Sequence, residues 1–315
     1  VSAQNIDVNT TNNINPLNEV LIDETITTSN ELTNKSSIIS NDLEKYYKDD
    51  KGFCATFYNE NGTPLTNKNI TFSVNGVSYI KTTDNNGTAK LNINLESGNY
   101  TIISYNPITN ETITNNITVL SSINGNDLTK YFKNATQYSV TLYDKTGKAL
   151  VNKTVRFNIN GIFYERKTNE KGVAQLNINL DPGNYIVTVY NLITGEEKSN
   201  NINVVSRIQL LDLNNASNVI LPEGYVIPVM FIGNGKAYAQ CRATTLDEKG
   251  NPLANQLVTF NINGIIYKGT TDKFGIINAI IYVNADWGNT YHICTATFGE
   301  SFASQTVIVK RFVMG

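Results

Sequence analysis

The chain has 315 residues, of which 40% are hydrophobic and 17% are charged, and its formal net charge is −2. This length suggests two or three domains, and the apolar fraction is large enough for buried cores. No Lys/Arg cluster that could neutralise phosphates is present, so the composition argues against a nucleic-acid partner. No apolar run reaches the roughly eighteen residues of a membrane span, so we expect no transmembrane segment.

The first 40 residues contain no copy of the repeat described below and are rich in Asn, Thr and Ser. Within them, a run of strand-forming composition contains Val20, Leu21, Ile22 and Ile26. A strand outside the domains can pair with a free sheet edge, so residues 1–40 are predicted to be an extension with a donor strand for a neighbouring chain. A segment that wraps its own domain and a disordered leader are the alternatives. Residues 1–4 are interpreted as the end left by signal-peptide removal.

Two long stretches of the chain are copies of one another. Residues 41–123 match residues 126–208 at a constant offset of 85. A third copy follows at a further offset of 103, after an insertion at 209–237 that is predicted to add extra strands. Because each copy is large enough to fold as a small domain, we predict domains at 41–123, 124–208 and 209–315.

The second copy shows the pattern of short antiparallel strands. Val155, Phe157 and Ile159 alternate with polar residues, and the pair Asn160-Gly161 then predicts a type I′ hairpin turn. About six such runs, separated by turn signals, are typical of an antiparallel β-sandwich. Only residues 42–48 and 127–133 suggest a single helical turn.

These repeats resemble the immunoglobulin-like repeats of adhesin-like surface proteins from methanogenic archaea. The resemblance rests on three motifs of the second copy: Asn126-Asp127-Leu128-Thr129-Lys130-Tyr131-Phe132, Phe157-Asn158-Ile159-Asn160-Gly161 and Leu176-Asn177-Ile178-Asn179-Leu180-Asp181-Pro182-Gly183. It implies an all-β chain of tandem immunoglobulin-like antiparallel β-sandwich domains with an extended N-terminal segment. It also implies an extracellular, cell-surface location.

Three cysteines are present. Cys241 and Cys294 fall on an early and a late strand of the third repeat, where a disulfide could bridge the two sheets of the sandwich. Two small buried thiols are the alternative. Cys54 has no partner in its own repeat and is predicted to be a free thiol or to pair between molecules.

The sequence contains eleven Asn-X-Ser/Thr sequons, which fit a secreted glycoprotein. Chance occurrence in an Asn- and Thr-rich chain is the alternative. The candidate glycosylation sites are Asn9, Asn34, Asn61, Asn69, Asn86, Asn99, Asn110, Asn116, Asn134, Asn152 and Asn215.

No catalytic, metal or cofactor site is predicted. The single histidine, His292, lies beside Cys294 on one strand, and we interpret it as a packed residue rather than half of a dyad. The acidic residues fall in turns, where they cap backbone amides, although calcium between domains is an alternative. Lys68 and Lys153 could form isopeptide cross-links only if an amide partner met them in a core.

The sequence therefore predicts a structural or adhesive surface protein. In one version, the chain is a secreted filament subunit, as in a pilus, that self-associates by strand addition into a polymer or surface layer. In the other, it is a monomeric adhesin that binds carbohydrate or a protein of a host or partner cell through its loops. A cell-wall-processing enzyme is the alternative from another class.

Overall fold

The computed structural model describes residues 35–212, 220, 226–233, 236–284 and 290–309. The chain divides into an N-terminal unit, residues 1–36, and a second unit, residues 37–315, which contains every strand given below. No helix among the described residues is long and apolar enough to cross a membrane.

The first sandwich has eight strands in two sheets. They are β1 (Ile38–Ser40), β2 (Leu43–Tyr46), β3 (Gly52–Phe57), β4 (Asn69–Val74), β5 (Val77–Thr82), β6 (Thr88–Asn92), β7 (Gly98–Tyr105) and β8 (Thr112–Leu120). One sheet has the order β1-β3-β6 and the other has the order β2-β8-β7-β4-β5. The strands pair antiparallel except β2 and β8, which are parallel.

The second sandwich repeats this arrangement. Its strands are β9 (Ile123–Gly125), β10 (Leu128–Tyr131), β11 (Tyr138–Leu142), β12 (Thr154–Ile159), β13 (Ile162–Lys167), β14 (Val173–Leu176), β15 (Gly183–Asn191) and β16 (Glu196–Val205). The sheets have the orders β14-β11-β9 and β10-β16-β15-β12-β13. The predicted turn between β12 and β13 is confirmed, because φ is positive at both Asn160 (53°) and Gly161 (79°).

The third sandwich departs from the other two at its start. Its strands are β17 (Ile208–Leu210), β18 (Val226–Gly233), β19 (Lys236–Thr245), β20 (Leu257–Ile262), β21 (Ile265–Thr270), β22 (Ile276–Asn284), β23 (Thr290–Phe298) and β24 (Ser301–Val309). Strand β18 pairs parallel with β24, as β10 does with β16, and also antiparallel with β19. Strands β17 and β18 therefore occupy the positions that β9 and β10 have in the second sandwich. The inserted residues lie between β17 and β18.

Each sandwich has its own hydrophobic core. Alternation along β4, β12 and β20 places one phenylalanine at an equivalent position in each core, and Phe72, Phe157 and Phe260 are all fully buried. Replacement of such a side chain by alanine typically costs about 3–5 kcal/mol. The repeat is therefore a unit of packing as well as of sequence.

Two features of the repeat differ from the sequence-based expectation. Residues 42–48 and 127–133 contain the strands β2 and β10 instead of a helical turn, because they pair with the last strand of their own sandwich. In addition, β1 begins at Ile38 and β9 at Ile123, whereas the predicted domains begin at 41 and 124. Both are edge strands of three residues, too short for an alternating pattern to be recognised in the sequence.

Candidate functional site

The junction between the first and second sandwiches is formed by an aromatic ring and a glycine turn. Strand β8 ends at Leu120 and β9 begins at Ile123, so only two residues link the domains. The ring of Tyr46 lies 5.7 Å from the ring of Tyr143, and it covers Gly147 so closely that a Cβ there would collide with it. Glycine is thus required at this position by the approach of the tyrosine.

The junction between the second and third sandwiches uses the equivalent residues. Tyr131 covers Gly250 as Tyr46 covers Gly147. Polar contacts accompany the ring: Lys133 Nζ lies 2.6 Å from Glu300 Oε2, and Asn134 Nδ2 donates to Glu248 O at 2.6 Å. At the first junction, Lys145 pairs with Asp50. The same aromatic contact therefore joins successive sandwiches, with a different set of polar partners each time.

A carboxylate, buried in the second sandwich and half-buried in the first, fixes the chain as it enters each of these two domains. In the second, Glu196 Oε2 accepts hydrogen bonds from the N–H (2.5 Å) and the hydroxyl (2.7 Å) of Ser122. In the first, Glu111 Oε2 accepts from the N–H and hydroxyl of Ser37, both at 2.6 Å. The third sandwich uses Ser301 Oγ, which accepts the N–H of Arg207 at 2.8 Å.

A groove of about 430 Å³ opens beside β2 at the end of the first sandwich. Tyr47, Asp49, Asp50 and Glu96 line it, and burial together with the charge of Glu96 raises the pKa of Tyr47. Below it, the buried Lys45 donates to Ile93 O at 2.6 Å, and burial lowers the pKa of its ammonium group. Among the described residues, no group of three or more His, Cys, Asp or Glu side chains is arranged to hold a metal ion.

The outer edges of the five-stranded sheets differ in exposure and charge. Strand β5 pairs only with β4 and exposes apolar side chains, namely Val77, Tyr79 and Ile80. Strand β13 carries three charged residues, and its Glu165 forms a 3.0 Å ion pair with Arg156. On β21, Ile265 and Tyr267 pack against the core of the third sandwich. The outer edge of the first sandwich, β5, thus carries less charge than the equivalent edge of the second sandwich, β13.

Cys241 and Cys294 meet in the core of the third sandwich. Cys241 lies on β19 and Cys294 on β23, both are buried, and their Sγ atoms are 3.4 Å apart. The predicted disulfide is not formed in the structure, where both residues are free thiols, because an S–S bond measures about 2.05 Å. The hydrogen bond between the sulfurs, together with burial, raises the pKa of the Cys241 thiol.

The other predicted residues are scattered. Cys54 is an exposed free thiol on β3. Lys68 and Lys153 are exposed, outside the cores where a cross-link would need them, and His292 is half-buried on β23. The donor-strand residues Val20, Leu21, Ile22 and Ile26 lie outside the described residues.

Most described sequons lie on exposed asparagines. Asn134 is the exception, because it is half-buried at the second junction. The exposed ones are Asn61, Asn69, Asn86, Asn99, Asn110, Asn116 and Asn152. Asn9, Asn34 and Asn215 lie outside the described residues.

Sequence reasoning missed the junction residues. The signal was present in the repeat alignment, because Tyr46 aligns with Tyr131 and Gly147 aligns with Gly250. The positive φ values at Gly147 (84°) and Gly250 (88°) favour glycine by themselves. Contact with the preceding domain is a second requirement that no local pattern indicates.

No family model matches the chain, and no curated protein matches it. Among solved structures, it is similar to a Ca²⁺-stabilised adhesin that helps an Antarctic bacterium reach out and bind ice (14% identity, 87% of this chain, 72% of that chain, TM-score 0.21). It is also similar to an α-2-macroglobulin mutant from Salmonella (9% identity, 86% of this chain, 23% of that chain, TM-score 0.33). A third similar structure is invasin, a bacterial integrin-binding protein (12% identity, 86% of this chain, 59% of that chain, TM-score 0.23). The chain thus spans under two thirds of the last two proteins, and TM-scores below 0.5 say nothing about what it binds.

Proposed function

We propose that this chain is a non-enzymatic structural and adhesive protein of the cell surface, secreted and assembled into filaments by β-strand addition between copies. Residues 20–27 of one copy add to the free edge of β5 in the next, and the immunoglobulin-like sandwiches act as spacers. The observation that carries this proposal is the open, weakly charged edge of β5.

An exposed edge strand presents unpaired backbone N–H and C=O groups that can template another strand. Proteins usually protect such edges with charged residues, and β13 shows this protection with Glu165, Arg166 and Lys167. The six residues of β5 include one charged residue, Lys81. Val77 is 52% exposed and Tyr79 is 40% exposed, so an added strand would bury apolar surface on both.

The sequence of the donor segment complements this edge. On one face of β5, Val77 and Tyr79 are followed by the positive Lys81. At the same spacing, Val20 and Ile22 are followed by the negative Glu24. Paired in parallel, the two strands would match apolar residues with apolar residues and Glu24 with Lys81.

The linker that follows the donor segment is also long enough for the segment to reach another molecule. Ten residues, 28–37, separate residue 27 from Ile38, where β1 begins. When extended, such a linker spans about 35 Å, which exceeds the width of one sheet. Donation between copies is therefore sterically reasonable.

A charge-exchange experiment tests the proposal. Purified chain, concentrated and viewed by negative-stain electron microscopy, should form filaments. We expect Lys81→Glu to abolish them, Glu24→Lys to abolish them, and the double variant to restore them, because the ion pair is re-formed with reversed polarity. Analytical ultracentrifugation gives the assembled fraction of each variant.

The matched control is Arg166→Glu, which makes the same charge change at the equivalent position of β13 and should leave the filaments unchanged. Wild-type chain that stays monomeric at every concentration would contradict the proposal. Filaments that are equally abundant in wild type, in both single variants and in the double variant would contradict the assigned edge.

A further inference from the structure

The glycine turn that receives a tyrosine at each junction occurs in all three sandwiches. In each, the glycine N–H donates to a carbonyl three residues earlier: Gly62 to Asn59 O (2.9 Å), Gly147 to Asp144 O (3.0 Å) and Gly250 to Asp247 O (3.1 Å). All three glycines have positive φ, between 74° and 88°. The first sandwich therefore has the same turn that the other two use for docking.

Of the three turns, only the turn of the first sandwich has no described residue packed against its glycine. Tyr46 and Tyr131 lie directly against Gly147 and Gly250, whereas no described atom lies within 4 Å of a Cβ built at Gly62. Gly62 itself is exposed. Steric crowding does not explain glycine at 62 in the way that it does at 147 and 250.

A lysine accompanies the tyrosine at both occupied turns. Lys133 pairs with Glu300 in the loop before β24, and the Lys48 ammonium lies 3.5 Å from a Cβ built at Gly195, in the corresponding loop before β16. Both lysines have positive φ (59° at Lys48 and 63° at Lys133), so the backbone turns in the same way after each tyrosine. The corresponding loop of the first sandwich contains Asn110, which is exposed.

Within the part of the chain that the structure describes, no further tyrosine of this kind is placed to fill the turn. Residues 1–36 contain no Phe, Trp or Tyr. Tyr46 and Tyr131 are already engaged within the chain. In the third sandwich, β18 continues into a hairpin with β19 and has Met230 where the second has Tyr131, by its alignment against the last strand.

We propose that the turn around Gly62 is a docking surface for an immunoglobulin-like repeat of another protein, which inserts the tyrosine of a Tyr-aromatic-Lys tripeptide. The tyrosine ring covers Gly62, and the lysine reaches the loop at Asn110. Glu60, which aligns with Glu248 of the second junction, favours a partner without acidic residues beside its tyrosine. This docking is end-to-end and independent of strand addition at β5.

The test uses a donor whose tyrosine end is free. Residues 37–205 comprise two sandwiches with complete cores, and removal of the third frees the Tyr131 ring from Gly250 and the Lys133 ammonium from Glu300. The donor carries Gly62→Asn so that it cannot bind itself; asparagine tolerates positive φ, as Asn75 and Asn160 show. It is titrated to millimolar concentration into ¹⁵N-labelled full chain, made without glycans, and amide shifts are followed by NMR.

We expect concentration-dependent shifts at residues 59–63 and 109–111. They should disappear with a Tyr131→Ala donor, and also with full chain that carries Gly62→Asn. Equal shifts with the Tyr131→Ala donor, or no shifts at millimolar concentration of a donor whose own spectrum is that of a folded protein, would overturn the proposal.

Discussion

A single carboxylate oxygen, Oε2 of Glu196, accepts both the backbone N–H and the hydroxyl of Ser122. The same hydroxyl also lies 2.7 Å from Thr194 Oγ1, and Asn191 Nδ2 donates to it at 3.0 Å. All four side chains are buried. Ser122, which precedes β9, is thereby held by the turn between β15 and β16, which lies about 70 residues later in the sequence.

Replacement of Glu196 by alanine should destabilise the second sandwich by about 1–3 kcal/mol, because it leaves a buried N–H without an acceptor. Urea unfolding followed through amide signals of the second sandwich measures this change. The control is the adjacent, exposed Glu197→Ala, expected within about 0.5 kcal/mol of wild type. Equal effects of the two variants would show that the contact contributes nothing.

A buried threonine performs a similar task at the same place in every repeat. Thr168 Oγ1 donates to Leu150 O and accepts the N–H of Lys153 at 3.0 Å. Thr83 and Thr271 make the equivalent bonds. We expect Thr168→Val, which keeps the shape, to cost about 1–3 kcal/mol in the same unfolding experiment. Thr129→Val, at an exposed position on β10, should have little effect.

Oxidation should join Cys241 and Cys294. The bond would close a loop of 53 residues, for which the chain-entropy model gives about 4 kcal/mol of stabilisation. Peptide mass spectrometry of chain secreted into an oxidising medium should find this pair linked, and a reductant should lower the unfolding midpoint of the third sandwich. Cys54→Ser should retain both results. Detection of three reactive thiols in the unfolded, unreduced protein would refute the expectation.

The stability of the second sandwich should decrease in acid partly through Asp127. Hydrogen bonds from the backbone and side chain of Asn201 lower the pKa of Asp127 below its ordinary value. Because the folded pKa is the lower one, this contribution is present above the unfolded pKa and is lost as the pH falls through the folded pKa, below about pH 4. Asp127→Asn should therefore reduce the difference in urea midpoint between pH 7 and pH 3, and an undiminished difference in this variant would contradict the assignment.

Glycans should be unevenly distributed over the sequons. Attachment occurs at Nδ2, and in Asn134 this atom donates to Glu248 O across the second junction. We expect glycopeptide mapping of native protein to find Asn134 unoccupied while exposed sites such as Asn61, Asn86 and Asn99 are used. Occupancy at Asn134 comparable to that at Asn86 would mean that the junction forms after modification or not at all.

Much of the fold could be predicted because its determinants are local. The alternation through Val155, Phe157 and Ile159 and the turn at Asn160-Gly161 are short-range signals, and the structure agrees with both. Strand β10 was not predicted, since it gains its partner from β16, more than 70 residues later. A four-residue strand contains too few alternations to stand out from a helical turn.

The candidate contacts between domains depended even more on distant residues. Cys241 and Cys294 could be assigned to the same sandwich because each lies on a run of strand-forming residues within 209–315. It could not show that Tyr131 lies on Gly250, since the two residues belong to different domains and neither has an unusual neighbour in sequence. Comparison of the three equivalent glycines, Gly62, Gly147 and Gly250, becomes informative only once their surroundings are known.

The parallel pairing of β10 with β16 determines how the second sandwich bears mechanical load. Tension along the polypeptide enters β10 at Leu128 and leaves β16 at Val205, at opposite ends of the stretch over which the two strands are paired, from Leu128–Ile202 to Tyr131–Val205. Pulling them in opposite directions shears every one of these bonds at once instead of opening them one after another. Rupture then requires their simultaneous loss, so the repeat resists stretching more strongly than peeling.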